Sequence, residues 1–187
     1  MSLSHASNRK ITISGNRHIC LRAIGAEDEA ALVAMGQRST RDDLRLRFFG
    51  AVRPELGRMS SLLANVNCER DFVVGAYCPI EHGIASELLG VIRLIRVADN
   101  RGEFALFVRS DMQKQGLGYR LMQEMLTWAR QHGIQHVDGE LLRENAKMLR
   151  LVKSLGGVVV AKQSDFSTVR VAFYISTPVV TARMVDH

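Results

Sequence analysis

The sequence predicts a mixed α/β domain of the α+β type with one central sheet. In the N-terminal third, apolar residues recur at helical spacing. From residue 72 onward, short segments rich in β-branched and aromatic residues are separated by Gly, Pro, Asn and Asp, and two amphipathic segments lie between them. The resulting order, helices first and then β-β-β-α-β-α-β-β, differs from the strict βαβ alternation of a doubly wound sheet.

The N-terminal elements are predicted from capping and turn signals. A Ser-Thr-Arg-Asp run has the form of a capping box, acidic residues suit the first turn of a helix, and proline is favoured there. The predicted elements are a loose tail over residues 1–10, a strand over 19–24, a helix that begins at Glu27, a second that begins at residues 39–42 and runs toward Phe49, and a third that follows Pro54 over 55–65.

The remaining elements are predicted from hydrophobic periodicity. Strands are expected over residues 72–77, 88–97, 103–108, 136–141, 158–161 and 169–175, and helices over 116–132 and 145–155. Residues 98–102 resemble a hairpin loop between two of these strands. Gly133 and Gly156 are placed to end the two helices.

Length and composition fit one ordinary domain. The chain has 187 residues, of which 47% are apolar and 24% charged, and this excludes collagen, a long coiled coil and wholesale disorder. We expect a single domain over residues 11–176 with tails over 1–10 and 177–187. Arg93 interrupts the longest apolar run and no secretory leader is recognisable, so we expect no membrane span and a cytoplasmic protein. A homodimer is left open.

The charge of +6 favours an anionic partner, but the basic residues are scattered and aromatic residues make up only 6% of the chain. This pattern argues against nucleic acid binding. The three cysteines show no Cys-x-x-Cys spacing, and Gly133 separates the two histidines, His132 and His136, that have helical i,i+4 spacing. We therefore expect neither a disulfide framework nor a metal site.

The most informative segment joins the strand predicted over residues 103–108 to the helix predicted over 116–132. In it, Gln113, Gly116 and Gly118 follow a strand and precede an amphipathic helix, where glycines and a helix N-terminus can approach a diphosphate. The residues after Gly118 do not fit a Walker A loop, and Leu121 stands where a dinucleotide fingerprint needs glycine. Taken alone, the Gly-x-Gly pair also fits an ordinary strand-to-helix turn.

With these residues, the sequence resembles the GNAT superfamily of acyl-CoA-dependent N-acyltransferases, whose pyrophosphate loop is Gln/Arg-x-x-Gly-x-Gly/Ala. Asn145, which opens a helix after the next strand, matches a second family feature. The resemblance covers roughly residues 19–175 and implies the GNAT fold, a single, mostly antiparallel central sheet flanked by helices. It is closest to the GNAT domain of bacterial protein lysine acetyltransferases, on residues 44–49, 103–105, 139–140 and 143–145.

The resemblance implies acetyl-CoA as cosubstrate. The implied cofactor residues are Leu106, Phe107 and Val108 beside the pantetheine arm, Gln113, Lys114, Gln115, Gly116, Leu117, Gly118 and Tyr119 around the diphosphate, and Asn145 on the arm. Asn145 also fits a simple helix N-cap. Lys114 stands where close relatives often have glycine, and its ammonium either contacts a phosphate or points to solvent.

Amide formation needs a neutral acceptor amine, whereas a lysine in water titrates near ~10.4. By resemblance, Glu103 is the candidate base, directly or through water, although it also fits an exposed carboxylate at a strand start. Glu140 is the reserve candidate, and Glu144 is a weaker one. A backbone N–H near Val108 would stabilise the oxyanion. Val152 stands where many relatives have the tyrosine that protonates the departing thiolate, and a thiol with a pKa near ~8.5 can leave unassisted.

Three functions remain open after this comparison. The first is acetyl transfer to a protein lysine, for example on an acyl-CoA synthetase, by direct attack in a ternary complex. The second is the same reaction on a small amine. The third is a noncatalytic acyl-CoA sensor, since cofactor binding requires no base.

Overall fold

One eight-stranded sheet forms the centre of the computed structural model, which describes residues 9–49, 67, 70–79, 86–160 and 166–176. Its strands are β1 (Arg9–Ile13), β2 (Arg17–Ala23), β3 (Phe72–Tyr77), β4 (Leu88–Ala98), β5 (Arg101–Val108), β6 (His136–Leu142), β7 (Val158–Val160) and β8 (Thr168–Tyr174). The described helices are α1 (Glu29–Gln37), α2 (Arg41–Arg47), α3 (Leu117–Gln131) and α4 (Ala146–Ser154).

The spatial order of the strands is β1-β2-β3-β4-β5-β6-β8-β7. Neighbouring described strands pair antiparallel, except β5 and β6, which are parallel and are joined through α3. A parallel pair requires such a crossover, whereas the antiparallel pair β4–β5 needs only a tight turn at Asp99 and Asn100. The predicted fold class, a mostly antiparallel sheet flanked by helices, is confirmed.

Two apolar clusters cover the two faces of the sheet. On one face, α3 buries Leu121, Met122 and Met125 against the strands, which explains its helical spacing of apolar residues. On the other face, Leu32 of α1 and Phe48, just after α2, pack with strand residues in a smaller cluster. Burial on both sides accounts for the nearly continuous apolar sequences of β3 and β4.

The predicted elements that fall on described residues are confirmed to within a few residues, with two differences. Strand β1 begins at Arg9, inside the stretch expected to be a loose tail, because its alternate residues Ile11 and Ile13 are buried against the core. The N-cap of α2 is Thr40 rather than Ser39, since the Thr40 hydroxyl accepts a hydrogen bond from the Asp43 N–H at 3.2 Å. The helix expected over 55–65 and the tail expected over 177–187 lie outside the described residues.

The described residues contain neither a helix that could span a membrane nor a metal-binding group of side chains. Within the described ranges, no helix is long and apolar enough to cross a membrane. The same ranges contain no group of three or more His, Cys, Asp or Glu side chains that could hold a metal ion. Cys20 and Cys78 are half-buried free thiols, and α3 ends just before Gly133, whose φ is +73°.

An ion pair between the half-buried Arg22 and the buried Asp28 fixes the entry to α1. The guanidinium of Arg22 on β2 donates to both carboxylate oxygens of Asp28, at 2.9 and 2.5 Å, and lies 3.9 Å from the centre of the Tyr77 ring. Burial would raise the pKa of Asp28, but hydrogen bonds from Arg22 and from the Gly25 N–H outweigh burial and hold this pKa below its ordinary value.

Replacing Asp28 with asparagine is expected to lower the free energy of unfolding by about 2 kcal/mol at pH 7, because Arg22 loses a charged bidentate partner. The folded-state pKa of Asp28 is depressed, so its contribution is complete above the unfolded-state pKa near ~3.9 and is lost as the pH falls through the folded-state pKa. Urea denaturation at pH 7 and near ~pH 3 measures both effects. Asp42→Asn, which removes an exposed carboxylate paired with Arg45, is the control and should cost less than about 0.5 kcal/mol. If the loss of unfolding free energy in Asp28→Asn were the same at both pH values, this account would be contradicted.

Candidate active site

A cleft opens where strands β5 and β6 separate. The two strands pair from Arg101 to Glu103 of β5, whereas β5 continues to Val108 and β6 to Leu142. Beyond the last pair, residues of both strands line the cleft, together with residues of α2, of the loop before α3 and of the start of α4. Its volume of about 670 Å³ lies within the range of small-molecule and cofactor sites.

Strand β5 presents backbone groups to this cleft. The N–H of Arg109 donates to the Leu89 carbonyl at 3.0 Å, so the backbone groups at this position point toward β4. Because successive residues of a strand direct their backbone groups alternately to either side, those of Phe107 also point toward β4, and those of Leu106 and Val108 point away from it. The N–H groups of Leu106 and Val108 therefore face the cleft and are available to a ligand.

The turn between β5 and α3 exposes a series of N–H groups. After a 3₁₀ turn over Ser110–Met112, Lys114 and Gly116 adopt left-handed backbone conformations with φ of +61° and +82°. Helix α3 then begins at Leu117, and no side chain of the described residues caps its first turn. Exposed N–H groups in such a turn and at a helix N-terminus attract an anion. The left-handed conformation of Lys114 also explains why glycine would fit this position without strain.

Most residues predicted to bind the cofactor line the cleft. They are Leu106, Phe107, Val108, Gln113, Lys114, Gly116, Gly118, Tyr119 and Asn145. The side chains of Leu117 and Gln115 lie elsewhere, since Leu117 is buried in the core and the Gln115 side-chain amide donates to the Asp111 carbonyl at 2.8 Å. These two residues can contribute only backbone groups to a ligand in the turn.

Asn145 is the N-cap of α4. Its Oδ1 accepts a hydrogen bond from the Met148 N–H at 3.1 Å, as the simpler interpretation of this residue predicted. The cap occupies the oxygen, and the side-chain amide nitrogen makes no hydrogen bond to any described residue. Asn145 can therefore cap α4 and donate to a ligand in the cleft at the same time.

A polar network ties the turn to α2. The Ser110 hydroxyl and the Thr40 hydroxyl both donate to Asp43, at 2.6 and 2.9 Å, and Lys147 donates to the Gln113 side chain at 2.8 Å. Burial would raise the pKa of Asp43, but hydrogen bonds from Ser110, Gln113 and Thr40 outweigh burial and keep this pKa below its ordinary value. Asp43 stays ionised at neutral pH and holds α2 against the turn.

The candidate bases occupy different positions along the cleft. Glu103 lies at the last paired position of β5, is exposed, and lines the cleft, on the same face as Ala105 and Phe107. Glu140 also lines the cleft, where its carboxylate accepts a hydrogen bond from the Thr168 hydroxyl at 2.8 Å. Glu144 pairs with Arg45 outside the cleft lining, and this pairing removes it from the set of candidate bases.

Two arginines that the sequence did not single out as site residues also line the cleft. Arg93 lies on β4 opposite Ala105, and Arg47 lies in the last turn of α2. Burial lowers the pKa of both guanidinium groups, and repulsion from Arg93 further lowers that of Arg47, to about 10. The position of Arg93 carried a signal, since a charged residue interrupts an otherwise apolar strand. Arg47 carried none, because α2 contains several arginines.

No tyrosine occupies the position that the resemblance assigns to a general acid. Val152 is fully buried in the core, on the side of α4 that packs against the sheet. Tyr119 lines the cleft near the turn, whereas Tyr174 lies on β8 and is 64% exposed, edge-on to His136. Tyr119 is therefore the one tyrosine among the described cleft residues.

A sequence model of the acetyltransferase (GNAT) family matches residues 38–156, which include α2, the cleft strands, the turn and α4. The chain belongs to this family, whose members transfer acetyl groups from acetyl-CoA to amines. The expected family, fold and enzyme class are thereby confirmed.

Solved structures of several acetyltransferases share this fold. The GNAT domain of S. lividans PAT superposes with a TM-score of 0.76 at 18% identity, covering 90% of this chain and 97% of that domain. Spermidine N-acetyltransferase from Vibrio cholerae, in complex with CoA and spermine, gives 0.65 at 14% identity over 83% and 95% of the two chains. The ribosomal-protein-S18-alanine N-acetyltransferase from Escherichia coli gives 0.62 at 17% identity over 85% and 95%. At these identities the likeness establishes the fold and leaves the acceptor open.

The backbone of the turn can be tested without a ligand. Gly116→Ala is expected to lower the free energy of unfolding by about 1 kcal/mol, because an L-residue is strained at a φ of +82°. Gly118→Ala is the matched control, since its added Cβ would meet Leu106, Leu151 and Val108 at ordinary contact distances of 3.5 to 3.6 Å. Alanine is also favoured inside a helix, so Gly118→Ala should keep or raise the stability. Thermal unfolding compares them, and equal losses would contradict the assigned role of Gly116.

Proposed function

We propose that this chain transfers the acetyl group of acetyl-CoA to a lysine side chain of a protein, by direct attack of the amine in a ternary complex. The observation that best supports this proposal is the arrangement of groups along β5. The turn with exposed N–H groups lies beyond one end of the strand, and Glu103 lies where the cleft begins at the other. A long ligand with a diphosphate at one end and a reactive thioester at the other fits this arrangement.

The residues present fit coenzyme A as a ligand. Residues from Gln113 to Tyr119 would surround the diphosphate, since the turn and the start of α3 supply unpaired N–H groups and the positive end of the helix dipole. The backbone of Leu106 and Val108 would pair with the pantetheine arm beside Phe107, and Asn145 would donate its side-chain amide to the arm. When bound, acetyl-CoA supplies the activated acetyl group.

Glu103 would act as the base on the acceptor amine. A lysine amine is almost fully protonated at pH 7, and a carboxylate at the mouth of the cleft can accept its proton directly or through water. The N–H of Val108 faces the cleft and would donate to the carbonyl oxygen of the acetyl group as negative charge develops there. Because Val152 offers no hydroxyl, the thiolate would leave without a general acid at that position.

A protein acceptor is supported by two observations. The fold is similar to that of the GNAT domain of S. lividans PAT over nearly all of both chains. Arg47 and Arg93 line the cleft, and their charges would repel the additional ammonium groups of a polyamine. The alternative of a small-molecule amine is favoured by the similar fold of spermidine N-acetyltransferase, and the alternative of an acyl-CoA sensor would require no base at all.

Replacing Glu103 with glutamine tests the base. The amide keeps the size of the side chain but cannot accept the proton, so kcat should fall at least about 100-fold while the Kd for acetyl-CoA stays unchanged. Steady-state kinetics and calorimetric titration with acetyl-CoA measure the two quantities. Glu140→Gln is the matched control and should leave kcat within about threefold. An unchanged kcat in Glu103→Gln removes Glu103 from the mechanism, and a fall in Glu140→Gln alone transfers the role to Glu140.

Labelled acetyl-CoA tests the class of acceptor. The protein is incubated with radiolabelled acetyl-CoA and a bacterial cell lysate, and labelled proteins are separated from labelled metabolites. Label on protein lysines supports the proposal, whereas label confined to small amines supports the alternative acceptor. Saturable binding of acetyl-CoA without transfer to either fraction would favour the sensor, and Glu103→Gln provides the background for nonenzymatic acetylation.

A further inference from the structure

The arginine pair of Arg47 and Arg93 lies at the reactive end of the cleft, away from the phosphate turn. Arg93 is opposite Ala105 on the neighbouring strand and diagonal to Glu103, which places its Cβ about 7 Å from that of Glu103. Strand β5 then runs about 10 Å further from Ala105 to Val108 before the turn begins. A ligand group that contacts Arg93 or Arg47 in the cleft therefore belongs to the acceptor and not to the diphosphate of coenzyme A.

Arg47 has no anionic partner among the described residues. Its Nε is buried and makes no hydrogen bond, and its guanidinium carbon lies 5.2 Å from the centre of the Phe48 ring. Arg47 is half-buried, and a partly desolvated cation without an anionic partner is unfavourable; the nearby charge of Arg93 makes it more so. A carboxylate that enters the cleft would relieve both effects by forming a charge-assisted hydrogen bond.

The environment of Arg93 differs from that of Arg47. The carboxylates of Glu103 and Asp71 both attract its charge, so Arg93 is balanced by groups of the protein itself. Asp71 in turn accepts hydrogen bonds from the N–H groups of Arg96 and Asn67, at 2.9 and 2.8 Å, which hold it in place. Of the two arginines, Arg47 is therefore the one placed to receive an anion from outside.

We infer that Arg47 binds a carboxylate of the acceptor, so that the preferred acceptor lysine is preceded by Asp or Glu. This inference rests on the proposed function and specifies its substrate. The two guanidinium groups also disfavour a protonated amine beside them, so the site that binds the acidic neighbour promotes the neutral form of the lysine. The same arrangement selects against acceptors that carry a second cation.

Matched peptides test the inference. We would compare kcat/KM for acetyl-Gly-Glu-Lys-Gly-amide and acetyl-Gly-Gln-Lys-Gly-amide, which differ only in the charge before the lysine. The unmodified enzyme should prefer the Glu peptide about tenfold, since a desolvated charge pair is worth at least that factor. In Arg47→Met the ratio should fall to about one, and in Arg47→Lys most of the preference should return.

The control variant is Arg45→Met, one half-turn earlier on the same helix. Arg45 pairs with Asp42 and Glu144 and does not line the cleft, so its loss should leave the ratio near ten. Thermal unfolding and the Kd for acetyl-CoA are measured for every variant, so that a loss of folding is recognised. Because the readout is a ratio within one protein, a partial loss of active enzyme does not change it.

A second pair of acceptors distinguishes a peptide carboxylate from a free amino acid. Lysine and cadaverine differ by one carboxylate, and their kcat/KM ratio is measured with the same enzymes. If both peptides are inert and the lysine-to-cadaverine ratio of kcat/KM depends on Arg47, the carboxylate site is supported but a protein acceptor is contradicted. Turnover of both peptides at equal kcat/KM overturns the inference and leaves the proposed function intact. No transfer to any of the four acceptors overturns both.

Discussion

The separation of β5 and β6 is the constraint on which the site depends. Among the described residues, two parallel strands that stop pairing after Glu103 leave the N–H groups of Leu106 and Val108 without sheet partners, and the Val108 carbonyl accepts only a long hydrogen bond of 3.5 Å from the Gln113 side chain. Unpaired backbone groups in a cleft are costly unless water or a ligand pairs with them. At the centre of the sheet, the edge of β5 that faces the cleft therefore offers backbone groups to a ligand. The strand pairs on either side, β4–β5 and β6–β8, are hydrogen-bonded along their length. A ligand that lies along β5 completes the sheet instead of disrupting it.

Helix α2 connects the two ends of this cleft. Asp43 and Arg47 lie four residues apart and therefore on one face of the helix. Asp43 is tied by Ser110 to the turn that precedes α3, whereas Arg47 lies near Arg93, a cleft residue of β4. A seven-residue helix thus links the turn before α3 to the arginine pair that lines the cleft. A ligand bound at the turn could therefore influence the position of Arg47 through Asp43 and α2.

The local patterns of the sequence predict the order of the elements and the turn, but not the arginine pair of the cleft. Capping residues, glycines and periodicity act over a few neighbours, and so the strands, α3 and the Gln113 to Gly118 turn could be predicted from them. Arg47 lies near Arg93, which is 46 positions away on another element, and their approach depends on how α2 packs on the sheet. Strand β1 was missed for a related reason, since its two buried isoleucines are too few to distinguish a strand from a tail.

The charge of the cleft also bears on how the reaction can proceed without a tyrosine at position 152. Val152 is fully buried and contributes to the core, so this position supplies packing and no hydroxyl group. A thiolate that departs in this cleft would do so in the field of the guanidinium groups of Arg47 and Arg93, both of which line it. Positive groups lower the pKa of a nearby thiol and stabilise its anion. If the proposed preference for an acidic acceptor holds, the same positive charges would also ease departure of the thiolate, and one arrangement of charge would serve both steps.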